Sequence, residues 1–440
     1  MPPMTACTAR GILVRTLALM LPAFVAMLAR TPVCAQDRQE RAPTSGVFDA
    51  LQFGADPRGQ QDSAPAFQRI ADAIGGLRHI KITIGPGVYR LSAPIKFEAS
   101  GNADTYGLAI QGAGQDVTEL VVDNAEGGIH WRGEQINRMS FTVSDLSIVA
   151  AREHAGTALS FDKALLGVKH RTQFLAQNVL IRGAQFDVGH FDTGVLVRGA
   201  WFPRLSNVQV AGPYGPVVED VAFATEHGIL LEDSYNPMIS HCRVWSAADG
   251  LTLKAVANRD QAVEDGSILN SYFVGVRRGI VVDLKDPGVW EEPGLRITQC
   301  HIAYRDYGIT LRGSRQATID HCLLYCTDRA GAAFPMYQDT PPREFSPADI
   351  NLEYASDVII DGNLFTEPAN PSRVAVRIGK RSGYVLIRGN QFNLQGVAVS
   401  NASPLPSWST DNFFGGRRRF TRDGDRYRDA SGSLVINDLN

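Results

Sequence analysis

The chain has 440 residues, a formal net charge of −3, 20% charged residues, 44% hydrophobic residues and 42 glycines. A chain this close to neutrality has no general electrostatic attraction for nucleic acid or for an anionic membrane surface. These values exclude a strongly basic nucleic-acid-binding protein and favour a neutral or weakly charged partner.

The first 35 residues have the features of a secretory signal peptide. Arg10 and Arg15 precede an apolar stretch from residue 16 to residue 29, which is too short to span a bilayer, and Val33-Cys34-Ala35 supplies a small-residue cleavage site. We expect residues 1–35 to be removed and residues 36–46 to be a polar linker. No later stretch is apolar enough for a membrane anchor, so we expect a secreted or periplasmic protein without membrane insertion.

The segment after the linker predicts a short capping helix. Asp62 or Ser63 is a natural N-cap, Pro65 suits the first turn, and apolar residues recur on one helical face from Phe67 to Ile74. Such a helix can cover the open end of a stack of strands, whose first layer would otherwise expose apolar side chains and unpaired backbone groups.

One pattern then recurs nine times between residues 143 and 392. An aliphatic residue precedes a turn-type or polar residue by two positions, and an apolar residue follows three positions later. The gaps between repeats range from 22 to 41 residues, and the flanks are strand-like, which is typical of the stacked coils of a β-solenoid. The turn positions are Asp145, Asn178, Asn207, His241, Asn270, Gln299, His321, Gly362 and Gly389.

A second motif, a glycine that opens a short strand, alternates with the first. Each coil therefore offers two strands that flank the turn and one strand after the glycine, which predicts three parallel sheets. We expect the coils to fill residues 47–402 as a single domain and residues 403–440 to form a C-terminal cap or tail. The glycines are Gly194, Gly228, Gly250, Gly279, Gly308 and Gly396.

The residues that directly follow the turn positions form a column that the strand parity points inward. In an oxidising compartment, stacked coils would allow a Cys300–Cys322 bridge in this column. The adjacent residues of the pairs 241/242 and 321/322 point to opposite sides of a strand, so these His-Cys pairs predict no metal site. The column is Cys242, Ser271, Cys300, Cys322, Asn363 and Asn390.

Four segments resemble the pectate-lyase-like superfamily of right-handed parallel β-helices. They are Phe53-Gly-Ala-Asp56, Asp62-Ser-Ala-Pro-Ala-Phe67, the segment 82–91 and Ile110-Gln-Gly-Ala-Gly114. The resemblance implies an all-β, right-handed parallel β-helix and a protein that acts on polysaccharides, in a group with rhamnogalacturonase-type hydrolases, lyases, epimerases and tailspike depolymerases. Motifs of the individual families, such as Gly-His-Gly or Asp-Pro-His-Glu, are absent, so no family's catalytic residues carry over.

Polysaccharide-acting members of this superfamily tend to use the sheet that follows the glycine. Counting four residues past the glycine position gives a column of strictly alternating charge. Either it is a salt-bridge ladder on an exposed sheet, or carboxylates two coils apart, separated by about 9.6 Å, act as the acid and base of an inverting glycosidase. The column is Arg198, Glu232, Lys254, Asp283, Arg312, Glu353 and Arg377, of which Asp283, Glu232, Glu353, Lys254 and Arg312 are the catalytic candidates.

We interpret the chain as an enzyme that cleaves glycosidic bonds, with hydrolysis slightly preferred to β-elimination. Elimination on a uronate polymer would use a base together with cationic side chains or Ca²⁺ that neutralise the uronate carboxylate. Hydrolysis needs no cofactor. A non-catalytic polysaccharide-binding or structural β-helix is the competing class, and assembly into a homo-oligomer stays open. Further residues predicted to contact the substrate are Asp249, Arg278, Asp306, Trp290, Tyr304 and His301.

Overall fold

The computed structural model describes residues 45–75, 77–99, 106–133, 138–163, 172–185, 189–213, 223–256, 264–284, 294–327, 346–366, 372–394 and 396–415, with three further strands between 421 and 436. The predicted signal peptide and most of the predicted linker lie outside the described residues. Among those residues, no helix is long and apolar enough to cross a membrane.

Alternation of buried and exposed side chains, which is typical of strands, is clear in segments such as Tyr106–Gln111 and Thr118–Val122, whereas Ala247–Lys254 is buried along almost its whole length. The strands of the first part are β1 (Ser45–Asp49), β2 (Arg58–Asp62), β3 (His79–Thr83), β4 (Gly87–Leu91), β5 (Ile95–Ala99), β6 (Tyr106–Gln111), β7 (Thr118–Val122), β8 (Gly127–Gly133), β9 (Met139–Ala150), β10 (Thr157–Lys163), β11 (Thr172–Gly183), β12 (Thr193–Arg198), β13 (Arg204–Ala211), β14 (Thr225–Glu232), β15 (Met238–Ser240), β16 (Arg243–Trp245) and β17 (Ala247–Lys254).

The strands of the second part are β18 (Ser267–Leu269), β19 (Tyr272–Asp283), β20 (Arg296–Thr298), β21 (His301–Arg312), β22 (Thr318–Asp320), β23 (Leu323–Cys326), β24 (Ala348–Glu353), β25 (Ser356–Asp361), β26 (Leu364–Phe365), β27 (Val374–Ile378), β28 (Gly383–Arg388), β29 (Gln391–Asn393), β30 (Val397–Asn401), β31 (Ser407–Thr410), β32 (Phe413–Gly415), β33 (Thr421–Asp423), β34 (Arg426–Arg428) and β35 (Leu434–Ile436). Strands β33 to β35 pair antiparallel as a separate small sheet.

The other strands form three parallel sheets that wind around one core, as the sequence predicts for a right-handed parallel β-helix. Sheet 1 contains the strands before the turn, sheet 2 those after the turn, and sheet 3 those that open at the glycine. Sheet 3 runs in the order β5, β8, β10, β12, β14, β17, β19, β21, β24, β27 and β30. Long strands bend between sheets, so that β19 and β21 begin in sheet 2 and end in sheet 3.

The nine predicted turn positions all adopt a left-handed backbone conformation, with φ between 49° and 62°. This is the conformation that Asn, Asp and Gly tolerate best, which explains why those residues dominate the repeat. Side chains at these positions also bond from coil to coil: Asn178 Nδ2 donates to Asp145 Oδ1 at 2.9 Å, and Asn207 Nδ2 donates to Asn178 Oδ1 at 2.9 Å. The corner between sheets 1 and 2 is therefore confirmed.

The capping helix α1 spans Ala64–Ala73, with Ser63 at the N-cap and proline in the first turn. The carboxylate of Asp62 accepts the Ala64 backbone N–H at 3.1 Å, which satisfies one of the unpaired donors at the helix start. Phe67 and Ile70 are buried in the same hydrophobic core as the strands. The predicted helix and its buried face are confirmed.

The interior column after the turn is also confirmed. Cys242, Ser271, Cys300 and Cys322 are all buried. The four cysteines in the described part of the chain are free thiols, and the Cys300 backbone N–H donates to Cys322 Sγ at 3.4 Å where the sequence allowed a bridge. On the coil that follows Cys322, Asn363 occupies the same position, and its Nδ2 donates to Asn390 Oδ1 on the next coil at 3.0 Å.

Three expectations need correction. Tyr304 is fully buried, because it follows the inward-facing Ile302 by two residues; its hydroxyl donates to Asp349 Oδ1 at 2.8 Å, so it cannot contact a polysaccharide. Arg377 pairs with Asn351 and not with Glu353, because Ala375, and not Arg373, occupies the position that the glycine holds in earlier coils. The stack continues past residue 402, since β31 and β32 pair in parallel with β28 and β29 and Asp411 provides another left-handed turn.

Candidate functional site

The outer face of sheet 3 carries two groups of ionisable side chains on the same strands. We call the first the charge ladder; its members lie directly opposite one another on successive coils. They are Glu98, Arg132, Asp162, Arg198, Glu232, Lys254, Asp283, Arg312 and Glu353. The predicted register of Glu232, Lys254, Asp283, Arg312 and Glu353 is thus observed, and alternation of charge extends three coils further toward the N-terminus than the sequence pattern indicated.

Glu232 is the most enclosed member of the charge ladder, with a side chain that is 7% exposed. Arg198 Nε donates to its Oε2 at 2.6 Å, and Lys254 Nζ lies 2.9 Å from its Oε1. Burial favours the protonated acid, but the bonds from Lys254 and Arg198 outweigh it and lower the pKa of Glu232. Glu232 is therefore held ionised, which opposes a role as the general acid of a glycosidase.

The C-terminal half of the charge ladder is more exposed to solvent than Glu232. Arg312 Nη1 lies 3.7 Å from Asp283 Oδ1, and both side chains are more than a third exposed. Glu353 is exposed and accepts a hydrogen bond from Asn351 Nδ2 at 2.9 Å. Pairs of this kind contribute little to folding, about 0–1 kcal/mol each, because water screens them. Asp283 and Glu232 lie two coils apart, as the glycosidase hypothesis requires.

We call the second group the histidine cluster; it consists of His227, Asp249, Thr252 and Arg278. Three of them lie opposite one another on adjacent strands: His227 on β14, Asp249 on β17 and Arg278 on β19. Each directly precedes the glycine of its strand. Gly250 follows Asp249 because no side chain fits there: a Cβ would lie 2.6 Å from the Gly279 carbonyl oxygen. This close packing fixes the backbone from which Asp249 projects.

Asp249 is the centre of the histidine cluster. Arg278 binds both of its oxygens, Nε to Oδ1 at 2.6 Å and Nη2 to Oδ2 at 2.7 Å. The Thr252 hydroxyl donates to Oδ2 at 3.1 Å, and His227 Nδ1 lies 3.4 Å from the same oxygen. Asp249 is almost completely buried, His227 is 14% exposed and Arg278 is 38% exposed. The imidazole and the guanidinium thus form the accessible edge of a buried carboxylate.

The protonation of the cluster follows from these contacts. Burial opposes ionisation of Asp249, but the hydrogen bonds from His227 and Arg278 outweigh it and lower its pKa. An ionised Asp249 favours the tautomer of His227 in which Nδ1 carries the hydrogen. In that tautomer His227 Nε2 is the acceptor nitrogen, and the exposed carboxylate of Glu226 lies 3.7 Å from it. An imidazole oriented in this way by a buried carboxylate can act as a general base.

The remaining predicted contact residues are spread over neighbouring surfaces. Asp306 lies at the corner before sheet 3, 15% exposed, with its Oδ1 3.6 Å from Arg305 Nε. His301 lies on the outer face of sheet 2, between Tyr272 and Tyr325 at ring-centroid distances of 5.6 and 5.3 Å. We call Tyr272, His301 and Tyr325 the aromatic strip. Trp290 lies outside the described residues.

Sequence reasoning named Asp249 and Arg278 but missed His227. The signal was present, because His227 directly precedes the glycine of β14 and Asp249 directly precedes the glycine of β17. Aligning the positions one before the glycine, in addition to those four after it, would have placed the two residues on adjacent coils.

Comparison with known proteins supports the fold. No family model matches the chain, and no curated protein matches it. Among solved structures, the A-module of the mannuronan C-5 epimerase AlgE6 from Azotobacter vinelandii is 14% identical with a TM-score of 0.54, covering 84% of this chain and 99% of that one. The surface adhesin PfbA of Streptococcus pneumoniae is 12% identical with a TM-score of 0.52, covering 90% and 99%. Gene product 12 of bacteriophage phi29 is 14% identical with a TM-score of 0.55, covering 84% and 52%.

Proposed function

We propose that this protein, which has the right-handed parallel β-helix fold of pectate-lyase-like proteins, acts on an acidic polysaccharide and cleaves it by β-elimination at the histidine cluster. The observation that carries the proposal is the contact of His227 Nδ1 with the buried, ionised Asp249, beside the accessible guanidinium of Arg278.

Elimination on a uronate polymer needs a base at the carbon next to the carboxylate and a cation that stabilises the negative charge formed there. His227 Nε2 accepts the C5 proton, the C4–C5 double bond forms, and the C4–O bond breaks. The leaving glycosidic oxygen takes up a proton from solvent, and His227 returns its proton to solvent afterwards. Among the described residues, Arg278 uses two of its five N–H groups to bind Asp249, and its side chain is 38% exposed. A substrate carboxylate would be bound by the N–H groups on this exposed side. No water is consumed, and the product carries an unsaturated uronate at its new end.

Hydrolysis, which the sequence slightly favours, receives less support from the geometry. A hydrolase needs one carboxylic acid with a raised pKa near the bond it cleaves. The pKa of Glu232 is lowered, and Asp349, whose pKa burial raises, is fully buried against Arg373. The similar AlgE6 module is named for a reaction at C-5 of mannuronan, and removal of a C5 proton is a step that such a reaction shares with elimination.

A second candidate function is polysaccharide binding without catalysis, and the aromatic strip favours it. Tyr272 is 44% exposed, Arg243 lies 5.3 Å over its ring, and His301 Nε2 lies 3.0 Å from the Tyr325 hydroxyl. The planes of neighbouring rings in the strip are inclined by 63° and 45°, and aromatic side chains lined up on successive coils can pack against sugar rings along a polymer. Tyr272 lies on β19, the strand that also carries Arg278 of the histidine cluster, so the strip also suits an enzyme.

Incubation of the purified protein with a panel of neutral and uronate polysaccharides tests the proposal. Elimination produces both new reducing ends and the ultraviolet absorbance of unsaturated uronate, on uronate polymers alone. Reducing ends without absorbance would mean hydrolysis and would contradict the proposed mechanism. Retention on an immobilised polymer without either signal would favour the binding function.

A further inference from the structure

A third group of ionisable side chains lies outside both the charge ladder and the histidine cluster. His154 lies in the connection before β10, and His190 and Asp192 lie in the connection before β12, on the next coil. One ligand atom from each of the three residues lies within 4.8 Å of the others. The group is therefore built by two consecutive coils at the entry to sheet 3.

The contacts within this group are short. His154 Nδ1 lies 2.6 Å from Asp192 Oδ1, and the rings of His154 and His190 meet edge to face with centroids 4.6 Å apart. The His154 backbone N–H donates to His190 Nε2 at 3.4 Å. That nitrogen is therefore an acceptor, and a metal ion that binds it would replace this long hydrogen bond.

Backbone hydrogen bonds hold the two connections together. The His190 N–H donates to the Arg152 carbonyl at 3.1 Å, the Ala155 N–H donates to the His190 carbonyl at 3.0 Å, and the Asp192 N–H donates to the Gly156 carbonyl at 2.9 Å. Gly156 has φ of 69°, and a Cβ on it would lie 2.4 Å from the Glu126 carbonyl oxygen. The three side chains thus converge because the coil spacing and this glycine fix the backbone beneath them.

We propose that His154, His190 and Asp192 bind a divalent transition-metal ion, with Zn²⁺ the best match. Two imidazole nitrogens and one carboxylate oxygen are a common donor set for zinc, and a site with three protein ligands leaves a position for water or substrate. His190 is 4% exposed, which provides a fixed, buried ligand, whereas the side chains of His154 and Asp192 are 68% and 41% exposed. The proposal does not rest on the reaction proposed above.

Small rotations suffice to form the site. In a tetrahedral zinc site, neighbouring nitrogen and oxygen ligands lie about 3.3 Å apart, so His154 Nδ1 and Asp192 Oδ1 must separate slightly. Both are accessible and can move.

Zn²⁺ titration of the full protein, produced without a polyhistidine tag and stripped with a chelator, tests the site. We expect one ion per chain by calorimetry and a rise in the melting temperature with added Zn²⁺, because the ion joins two coils. His154→Ala and Asp192→Asn change accessible side chains and should each weaken binding at least about tenfold. Co²⁺, which reports its ligands through its visible spectrum, should show nitrogen ligation that His154→Ala reduces.

His321→Ala is a matched control. His321 forms another exposed histidine–aspartate pair, with Nδ1 3.0 Å from Asp320 Oδ2 and a side chain 63% exposed, but it belongs to no such three-residue group among the described residues. This variant should bind Zn²⁺ as the wild type does. The proposal is overturned if the wild type binds Zn²⁺ no more tightly than His154→Ala, or if His321→Ala weakens binding as much as His154→Ala does.

Discussion

The charge ladder and the histidine cluster share strands β14, β17 and β19 but distribute their charges differently. Glu232, Lys254 and Asp283 stand five residues after His227, Asp249 and Arg278, about 16 Å along an extended strand. In the charge ladder each charge meets an opposite charge on the next coil. In the histidine cluster a single buried carboxylate is surrounded by three different donors.

The difference in charge arrangement indicates which of the two groups suits the proposed elimination. Regular alternation along a sheet neutralises charge, and each member then contributes to stability according to its burial. In the histidine cluster, an imidazole, a guanidinium and a hydroxyl all contact one buried carboxylate. This arrangement orients a base, although burying the charged carboxylate destabilises the fold. We therefore place the proposed elimination at the histidine cluster and regard the charge ladder as support for sheet 3. The predictions below would separate these two roles.

The largest expected effect is loss of turnover in His227→Ala and in Asp249→Asn. Removal of a general base, or of the carboxylate that orients it, should lower kcat at least about 100-fold. The measurement is the rate of unsaturated-uronate absorbance. Circular dichroism serves as the folding control, because Asp249 is buried. Activity within a few-fold of wild type in a folded His227→Ala protein would break the assignment.

Arg278→Lys should have the next largest effect. Lysine keeps the charge but cannot make the bidentate bond to Asp249 and still face the substrate, so kcat/KM should fall about tenfold or more. Arg312→Lys, which changes a ladder arginine of similar exposure, is the matched control and should leave kcat/KM unchanged. Equal losses in both variants would show that the two groups act together.

Glu232→Gln should destabilise the fold by about 1–3 kcal/mol, because it removes an enclosed carboxylate that contacts both Arg198 and Lys254. Glu353→Gln, at the exposed end of the charge ladder, should cost less than about 0.5 kcal/mol. Urea unfolding of both variants gives the comparison. A larger loss in Glu353→Gln than in Glu232→Gln would contradict the view that burial decides the contribution.

The stability difference between wild type and Glu232→Gln should also depend on pH. The pKa of Glu232 in the folded protein is lower than its ordinary value of 4.5, so its carboxylate stabilises the fold above that value. This contribution is lost as the pH falls through the pKa of the folded state. Urea unfolding of both proteins at neutral and at acid pH should show the difference shrinking in acid. A difference that grows in acid would be inconsistent with the lowered pKa.

Asp283→Asn should have the smallest effect. Its contact with Arg312 is 3.7 Å long and accessible to solvent, so both stability and turnover should remain close to wild type. The glycosidase hypothesis, in which Asp283 is catalytic, predicts loss of activity. Abolished turnover in a folded Asp283→Asn protein would therefore move the active site to the charge ladder.

Much of the fold could be predicted because the repeat follows from a requirement of the backbone, which must adopt a left-handed conformation at each corner. Turn residues such as Asn178 and His241 recur because left-handed backbone is needed at each corner, and the inward column through Cys300 follows from strand parity. The same register placed Lys254, Asp283 and Arg312 in one row. These features depend on local conformation and on a constant coil spacing, both of which the sequence records.

The errors arose where the repeat signal is weak. Arg377 was misplaced because its coil lacks the glycine, and the end of the stack was missed because Ser409 replaces the usual aliphatic residue before Asp411. The group of His154 and His190 depends on the path of two irregular connections, which carry no periodic pattern. Sites built from such connections can be recognised only in the three-dimensional structure.

The most direct test compares three proteins on one uronate polymer by the absorbance of unsaturated uronate. Wild type and Asp283→Asn should generate the signal at similar rates, and Asp249→Asn should generate almost none while remaining folded. Full activity in Asp249→Asn, or loss of activity confined to Asp283→Asn, would contradict the assignment of catalysis to the histidine cluster.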